Sequence, residues 1–229
     1  MANHLDLEEQ EQLDQLKHFW KQYGNWITWA LILVLGAFAS WNFYNYYQRS
    51  QSQQAAAMFD EVERVVKSGD AAKIDRVFAD MKDRFASTVY AQQSGLLVAQ
   101  QMFKSGNTDA AKAALVWVSE KSSDTGYQAI AKLRLAGILI ESKSFDEALK
   151  QLDGTFPTSF LPLVADRKGD IYMLRQQKKE AITEYMKAYK GFDDQVEYRR
   201  LVEVKLNSLA VDPVSGESAP RATVQEVKQ

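Results

Sequence analysis

A long uncharged stretch near the N-terminus constrains this chain more than any other feature. No charged residue occurs between Lys21 and Arg49. About 20 apolar residues are enough to cross about 30 Å of hydrocarbon as a helix. Aromatic rings flank the most apolar part, as is typical where a helix enters the two membrane interfaces: Trp26 and Trp29 at one end, Trp41 and Tyr44 at the other. We therefore predict a transmembrane helix over residues 25–47 that these four rings anchor in the lipid bilayer.

Two other interpretations of this stretch are open at the level of sequence. A buried core helix would also be apolar, but it would not need aromatic rings and charge at both ends. A cleaved signal peptide is suggested by the pattern Ala37-Phe38-Ala39. However, this pattern lies inside the apolar run, and the preceding segment is long and acidic rather than short and basic.

The flanking basic residues favour a cytoplasmic N-terminus. Lys17 and Lys21 precede the stretch and Arg49 follows it, and cytoplasmic flanks carry an excess of Lys and Arg. The ratio is two to one, so charge alone favours this orientation without deciding it. The expected topology is a cytoplasmic N-terminus with the larger C-terminal domain on the other side.

Composition removes several classes of function. The chain has no cysteine, and its two histidines, His4 and His18, both precede the apolar stretch. A Ser-His-Asp or Cys-His arrangement in the C-terminal domain is therefore impossible, and a zinc site there would have to use carboxylates alone. The net charge of −2 without a basic stripe argues against nucleic acid as a partner. We expect no catalytic residue, no metal and no cofactor, and paired carboxylates remain the enzymatic alternative.

The N-terminal tail, residues 1–24, has one apolar face. Its apolar residues recur in part at three- and four-residue spacing: Leu5, Leu13, Leu16, Phe19, Trp20 and Tyr23. An amphipathic helix of this kind can lie at the membrane interface before the span. The alternative is a docking helix for a cytosolic partner, and we favour the interfacial helix.

Helical periodicity continues after Arg49 and contains an internal repeat. Three segments align: LLVAQQMFKSGNTDAAKAAL, LRLAGILIESKSFDEALKQL and DRKGDIYMLRQQKKEAITEY. In each segment, a small residue in the first helix is followed 12 positions later by a small residue in the second helix: Ala99 and Ala111, Ala136 and Ala148, and Gly169 and Ala181. A large residue follows four positions later: Leu115, Leu152 and Tyr185. The period of about 34 residues resembles the tetratricopeptide repeat, in which each unit is a helix–turn–helix.

The predicted fold class is all-α, a single transmembrane helix followed by a tetratricopeptide-like solenoid of helix pairs. An earlier unit places the branched Val62 and Ile74 at the small positions, so the first pair should pack more loosely. The stretch from Asp194 to Leu209 would cap the last pair. The expected divisions are a tail (1–24), the span (25–47), a linker (48–54), the repeat domain with its cap (55–210) and a disordered tail (211–229).

The first helices of the pairs would line a concave groove. By tetratricopeptide position, the candidate partner-binding residues are Gln93, Gln100, Phe103, Asp166, Asp170 and Met173. Further groove positions, for which we favour core packing instead, are Leu96, Ile130, Leu133 and Ile140. Repeat proteins that capture a peptide carboxylate use Lys and Asn where this chain has Leu and Gln or Gly. The groove therefore suits an amphipathic or extended segment.

The arrangement resembles a known bacterial family, the ancillary subunits of the SecYEG translocon (YfgM-like). The segment LKHFWKQYGN, residues 16–25, followed by the span and degenerate repeats, carries the resemblance over about residues 5 to 210. The resemblance implies a single-pass protein of the cell inner membrane with a periplasmic repeat domain. It also implies two partners, the SecYEG channel and a membrane-anchored periplasmic chaperone of the prolyl-isomerase type.

The functional expectation is a non-enzymatic, membrane-anchored adaptor that assists the transfer of translocated proteins to periplasmic folding factors. Confinement beside the channel raises the effective concentration of emerging chains, so a weak groove would suffice. The alternative is a stress-signalling regulator that sequesters a cytosolic response regulator through the N-terminal tail.

Overall fold

The computed structural model describes residues 7–213, and most of them are helical. In that range the chain forms these helices: α1 (Leu7–Ser68), α2 (Ala71–Phe85), α3 (Val89–Lys104), α4 (Thr108–Lys121), α5 (Thr125–Glu141), α6 (Phe145–Leu152), α7 (Leu161–Leu174), α8 (Lys178–Gly191) and α9 (Tyr198–Ser208), with a 3₁₀ turn at Thr158–Phe160 before α7. The chain divides between Gln54 and Ala55 into two units. The all-α prediction is confirmed.

The N-terminal unit contains most of α1, which is long and apolar enough to cross a membrane. Its best window has a mean hydropathy of 1.5, and none of that window is buried. Polar side chains in the apolar part bond to the helix itself. Thr28 Oγ1 donates to the Gly24 carbonyl at 2.7 Å, and Ser40 Oγ donates to the Gly36 carbonyl at 2.8 Å. These bonds suit a hydrocarbon environment, where an unpaired polar group is costly.

Residues 48–54, expected to form a linker, are helical and lie within α1. This segment contains neither Pro nor Gly, so nothing in it interrupts the backbone ladder. Residues 211–213, where the predicted disordered tail starts, are not helical, and residues 214–229 lie outside the described range.

The C-terminal unit is a succession of helix–turn–helix pairs: the end of α1 with α2, α3 with α4, α5 with α6, and α7 with α8. Within each pair, one residue of the turn has positive φ: Gly69, Gly106, Lys143 and Gln176. The last three turns satisfy the carbonyls at the end of the first helix in the same way. For example, Asn107 N donates to Met102 O at 2.8 Å and Gly106 N donates to Phe103 O at 3.0 Å, which is the Schellman pattern.

The first pair differs from the others. Val62 and Ile74 are both buried, but the backbones of α1 and α2 approach each other at fewer points than those of α3 and α4. Branched side chains at the two contact positions need more room between helices than the alanines of the other pairs do. The N-terminus of α2 is capped by Asp70, whose carboxylate accepts the Lys73 backbone N–H at 3.1 Å.

The last helix, α9, packs on α8 and covers the end of the stack. Val202 and Leu206 are fully buried there, in a cluster with Ala181, Tyr185 and Ala188. The predicted cap began at Asp194, but the helix begins four residues later. The Asp193 carboxylate accepts the Gln195 N–H at 3.0 Å, which holds the chain in a turn before α9.

Candidate partner-binding groove

The first helices of successive pairs, α3, α5 and α7, lie side by side in the C-terminal unit. Gln93 Nε2 on α3 donates to Tyr127 Oη on α5 at 2.9 Å, and Arg134 Nη1 on α5 donates to the Leu96 carbonyl at 3.3 Å. These bonds join neighbouring pairs across the predicted groove face. Gln93 is therefore half-buried and already bonded within the protein.

A first pocket of about 320 Å³ lies between α3 and α5. Gln100 and Phe103 line the α3 side, and Arg134, Gly137 and Glu141 line the α5 side. The pocket is open at Gly137, because a Cβ built there would meet no atom within 4 Å. Two of the predicted site residues, Gln100 and Phe103, thus share one pocket.

A second pocket of about 350 Å³ lies between α5 and α7. Ile140 forms the α5 side, and Arg167, Asp170, Met173 and Leu174 form the α7 side. Leu174 is 57% exposed, although it is a large apolar residue. Asp170 and Met173, two further predicted residues, share this pocket.

The placement of Asp166 in an open groove requires correction. Asp166 is 1% exposed because α9 covers it. Its carboxylate accepts Tyr198 Oη at 2.8 Å and Lys205 Nζ at 2.7 Å. Lys205 Nζ also donates to Asp170 at 2.7 Å. Asp166 therefore belongs to a contact that holds α9 in place, and it is closed to a partner.

Two phenols complete this polar cluster. Tyr185 Oη donates to Asp170 at 2.7 Å, and burial together with this carboxylate raises the pKa of Tyr185 well above its usual value. Burial and the charge of Asp166 raise the pKa of Tyr198 to about 12. Both phenols stay protonated at neutral pH and serve as hydrogen-bond donors.

Four apolar positions that could have faced the groove contribute to the core. Leu96 is buried in the main core cluster, and Ile130, Leu133 and Ile140 are partly buried against it. Ile140 also contributes to the second pocket. This agrees with the core interpretation that the sequence favoured for these residues.

The six small repeat residues are all buried: Ala99, Ala111, Ala136, Ala148, Gly169 and Ala181. At Gly169, a Cβ would lie 2.5 Å from the Tyr185 ring. A similar contact, which the repeat pattern did not indicate, exists at Gly95, where a Cβ would lie 2.4 Å from Val118 Cγ2. A glycine inside a helical segment was the available signal.

Other residues had no sequence signal. Arg134, Glu141 and Arg167 are charged residues on helical faces, and only the packing of α3, α5 and α7 brings them to the pockets. Lys205 is 39 positions from its partner Asp166. Within the described residues, no three carboxylate or imidazole groups come together as metal ligands would.

In the N-terminal unit, the four predicted membrane anchors are exposed on α1. Trp26 is 79% exposed, and Trp29, Trp41 and Tyr44 are also more than half exposed. Rings that are uncovered by protein on a helix of this length are available to lipid.

Comparison with known proteins places the chain in a family. A family model for tetratricopeptide repeat-like domains matches residues 17–211. An Ancillary SecYEG translocon subunit of Neisseria gonorrhoeae is 32% identical over 91% of this chain and 100% of its own length. Proteins of that name from Haemophilus influenzae and Escherichia coli are 28% and 25% identical, each over 89% of this chain and 98% and 97% of their own lengths. No solved structure matches the chain.

These matches confirm the resemblance seen in residues 16–25 and in the repeats. The chain belongs to the family of ancillary SecYEG translocon subunits and carries a tetratricopeptide repeat-like domain.

Proposed function

We propose that this protein is a non-enzymatic, membrane-anchored adaptor of the Sec translocon. It binds SecYEG and a membrane-anchored periplasmic chaperone of the prolyl-isomerase type, and it assists the transfer of translocated proteins. One observation carries the proposal: relatives named Ancillary SecYEG translocon subunit match nearly the whole chain, over 210 residues in the first case. A match of this extent includes the membrane-length helix as well as the helix pairs.

The proposed topology is a single pass through the inner membrane, with residues 1–24 in the cytoplasm and the helix pairs in the periplasm. Lys17 and Lys21 on the N-terminal flank, against Arg49 on the other, support this orientation. Tethering near the channel raises the local concentration of emerging chains, so that the two shallow pockets can act at modest affinity.

Co-purification tests this function. The full chain, tagged at its C-terminus, is extracted from membranes with a mild detergent, and co-eluting proteins are quantified by mass spectrometry. We expect SecY and a prolyl-isomerase-type chaperone to be enriched over an unrelated single-pass protein. Recovery of neither protein would refute the adaptor proposal.

Groove variants test whether the two pockets hold emerging chains. Phe103→Ala with Met173→Ala removes one large side chain from each pocket. We expect the yield of translocating chains cross-linked to the protein to fall about fivefold or more, as for interface residues, while recovery of SecY and of the chaperone is unchanged. Val116→Ala, at an exposed position on α4 outside both pockets, is the matched control.

A second candidate function is supported by the exposed face of the N-terminal helix. Leu13, Leu16, Phe19 and Trp20 are all more than 40% exposed and could bind a cytosolic response regulator. Deletion of residues 2–16 discriminates between the two functions. Translocon association should survive it, and stress signalling should change only if the tail sequesters a regulator.

A further inference from the structure

One face of α1 carries a regular apolar seam that starts well before the predicted span. Apolar residues recur from Leu13 at alternating steps of three and four residues: Leu16, Trp20, Tyr23 and Ile27. These are positions a and d of a coiled-coil heptad. The five side chains are between 39% and 62% exposed. Positions b, c and f of residues 11–25 hold only polar side chains, so the seam is an uncovered apolar stripe opposite a polar face.

The same register continues through the span. The next a and d positions are Ala30, Val34, Ala37, Trp41 and Tyr44, and all five are exposed. Within lipid every face of the helix is apolar, so the register is fixed by the segment before the span. Because α1 is one unbroken helix, the seam runs continuously from Leu13 to Tyr44.

Lipid alone does not cover the first part of this seam. A helix rises 1.5 Å per residue, so Leu13 lies about 20 Å along the axis before Trp26. The headgroup layer on each side of the hydrocarbon is only about 5–8 Å thick. A tail lying in the membrane interface would have to bend away from the span, whereas α1 is unbroken there. The cover must therefore be protein, and since the seam continues into lipid, that protein must also span the membrane.

A second copy of α1 meets this requirement without a clash of charge. Copies inserted with one topology lie parallel, so each seam residue meets its own counterpart. The flanking positions of a coiled coil are e and g, which face each other across the two helices. Between residues 12 and 47, Lys17 is the one charged residue at these positions. In a parallel pair it faces Gln12 of the second copy rather than another lysine.

The seam is also large enough for a stable dimer. It contains four large rings in each copy: Trp20, Tyr23, Trp41 and Tyr44. A buried aromatic side chain covers about 150–250 Å², so half-burial of eight rings removes roughly 600–1,000 Å². The aliphatic seam residues of both copies bring the total to roughly 1,200 Å² or more, the range of stable interfaces. Inside lipid, Ala30 and Ala37 let the two helices approach closely, and close packing supplies the attraction there.

We propose that the protein forms a parallel dimer through this seam. The two α1 helices pack as a left-handed coiled coil that begins before the span and continues into the membrane. The inference goes beyond the proposed adaptor function and does not depend on it, because an adaptor could equally act as a monomer.

Disulfide cross-linking tests the seam directly, since the chain has no cysteine of its own. Four single substitutions lie at position d: Leu16→Cys, Tyr23→Cys, Ala30→Cys and Ala37→Cys. Four controls lie at position f, on the opposite face: His18→Cys, Asn25→Cys, Ile32→Cys and Ala39→Cys. Membranes that contain the full chain are oxidised with copper phenanthroline, and dimers are quantified on non-reducing gels. We expect about fivefold more dimer at the d positions, because a disulfide requires Cβ atoms within about 4.5 Å of each other.

A second measurement uses a matched pair of variants without cysteine. Ala37→Phe enlarges a side chain in the seam, and Ala39→Phe makes the same change at an exposed position on the opposite face. Two differently tagged copies are co-expressed, extracted in mild detergent and purified by one tag. We expect Ala37→Phe to lower recovery of the second tag about fivefold, because it blocks close approach of the helices. Ala39→Phe should leave the recovery unchanged.

Three results would overturn the inference: no dimer band, equal cross-linking on both faces, or unchanged recovery with Ala37→Phe. A seam covered by the helix of another protein would give the first of these results. Failure of the adaptor function is distinguishable, because SecY is quantified in the same membranes. Recovery of SecY without a self-cross-link refutes the dimer alone, and a self-cross-link without SecY refutes the adaptor alone.

Discussion

At the scale of single residues, one close contact within a helix pair depends on Gly169. The first two complete pairs combine Ala with Leu at these positions, Ala99 with Leu115 and Ala136 with Leu152. The third combines Gly169 with the larger Tyr185, and a Cβ at 169 would lie 2.5 Å from the Tyr185 ring. The Tyr185 ring therefore leaves no room for a side chain larger than that of glycine at position 169.

We expect Gly169→Ala to lower the free energy of unfolding by about 1–2 kcal/mol, because overpacking outweighs the gain in helix propensity. Gly137→Ala is the matched control, also within a helix. With no atom near its new Cβ, it should stabilise by about 0.5–1 kcal/mol. Urea denaturation of the full chain in detergent measures the free energy of unfolding of both variants. If the two substitutions changed it equally, the close contact between Gly169 and Tyr185 would be contradicted.

A compensating change tests the same contact. Gly169→Ala combined with Tyr185→Leu restores the Ala and Leu combination of the other two pairs. Because the two residues touch, their effects should not add, and the double variant should lose less stability than the two single variants together. Strict additivity, measured in the same denaturation experiment, would show that the ring does not restrict position 169.

The phenol of Tyr198 makes the free energy of unfolding depend on pH. Its pKa in the folded protein is about 12, above the usual value of about 10 in an unfolded chain. Between these two pKa values, the folded state keeps the proton and the unfolded state loses it. The stabilisation by this phenol is therefore complete below about pH 10 and declines as the pH rises toward about 12. Tyr198→Phe should flatten this alkaline decline in denaturation curves and remove one late step from the tyrosinate absorbance titration. An unchanged titration would contradict it.

At the scale of elements, α9 is held by a charged contact as well as by apolar packing. Lys205 lies between Asp166 and Asp170, and its loss would leave the buried Asp166 carboxylate without a countercharge. We expect Lys205→Met to destabilise the chain by about 3 kcal/mol and to speed hydrogen exchange in α9.

Two controls accompany the Lys205 variant. Lys187→Met breaks a pair between Glu184 and a lysine side chain that is mostly exposed, and it should cost less than about 1 kcal/mol. Asp166→Asn combined with Lys205→Met removes both charges and should recover part of the loss. If Lys205→Met were as mild as Lys187→Met, the charged contact would not hold α9.

Structural features that are determined by residues close together in the sequence were predictable. The turns at Gly69, Gly106, Lys143 and Gln176 fall at one repeat position, because small residues and breakers are local signals. The position of Asp166 was not predictable, since its burial depends on how α9 rotates onto α7 and α8. Tyr198 and Lys205 reach it from 32 and 39 positions away.

The candidate groove shows the same difference between features set by local sequence and features set by packing of distant residues. Repeat position placed Gln100 and Phe103 on one helix face, and the structure brings them into one pocket. Their charged neighbours Arg134 and Glu141 were missed, because a charge on a helix surface is most often simply solvated. A repeat pattern thus predicts which helix lines a groove, whereas the polar groups around each pocket depend on packing between repeats.

At the scale of the whole molecule, the first question is whether α1 keeps the protein in the membrane. We expect the full chain to stay in the membrane pellet after extraction with alkaline carbonate. Leu33→Arg with Gly36→Arg should release it, because each arginine near the centre of a span costs about 2.5–3.5 kcal/mol. Leu33→Ala with Gly36→Ala should stay in the pellet, and release of the unmodified chain would rule out a membrane anchor.

The second question is on which side of the membrane the helix pairs lie. An alkaline phosphatase reporter, active only outside the cytoplasm, is fused after Gln229. We expect activity, because Lys17 and Lys21 hold the N-terminal flank on the cytoplasmic side against Arg49. Lys17→Gln with Lys21→Gln removes this bias and should lower the active fraction, while Lys17→Arg with Lys21→Arg should preserve it. If only a reporter fused before Met1 were active, the pockets would face the cytoplasm, where chains that have crossed the channel could not reach them.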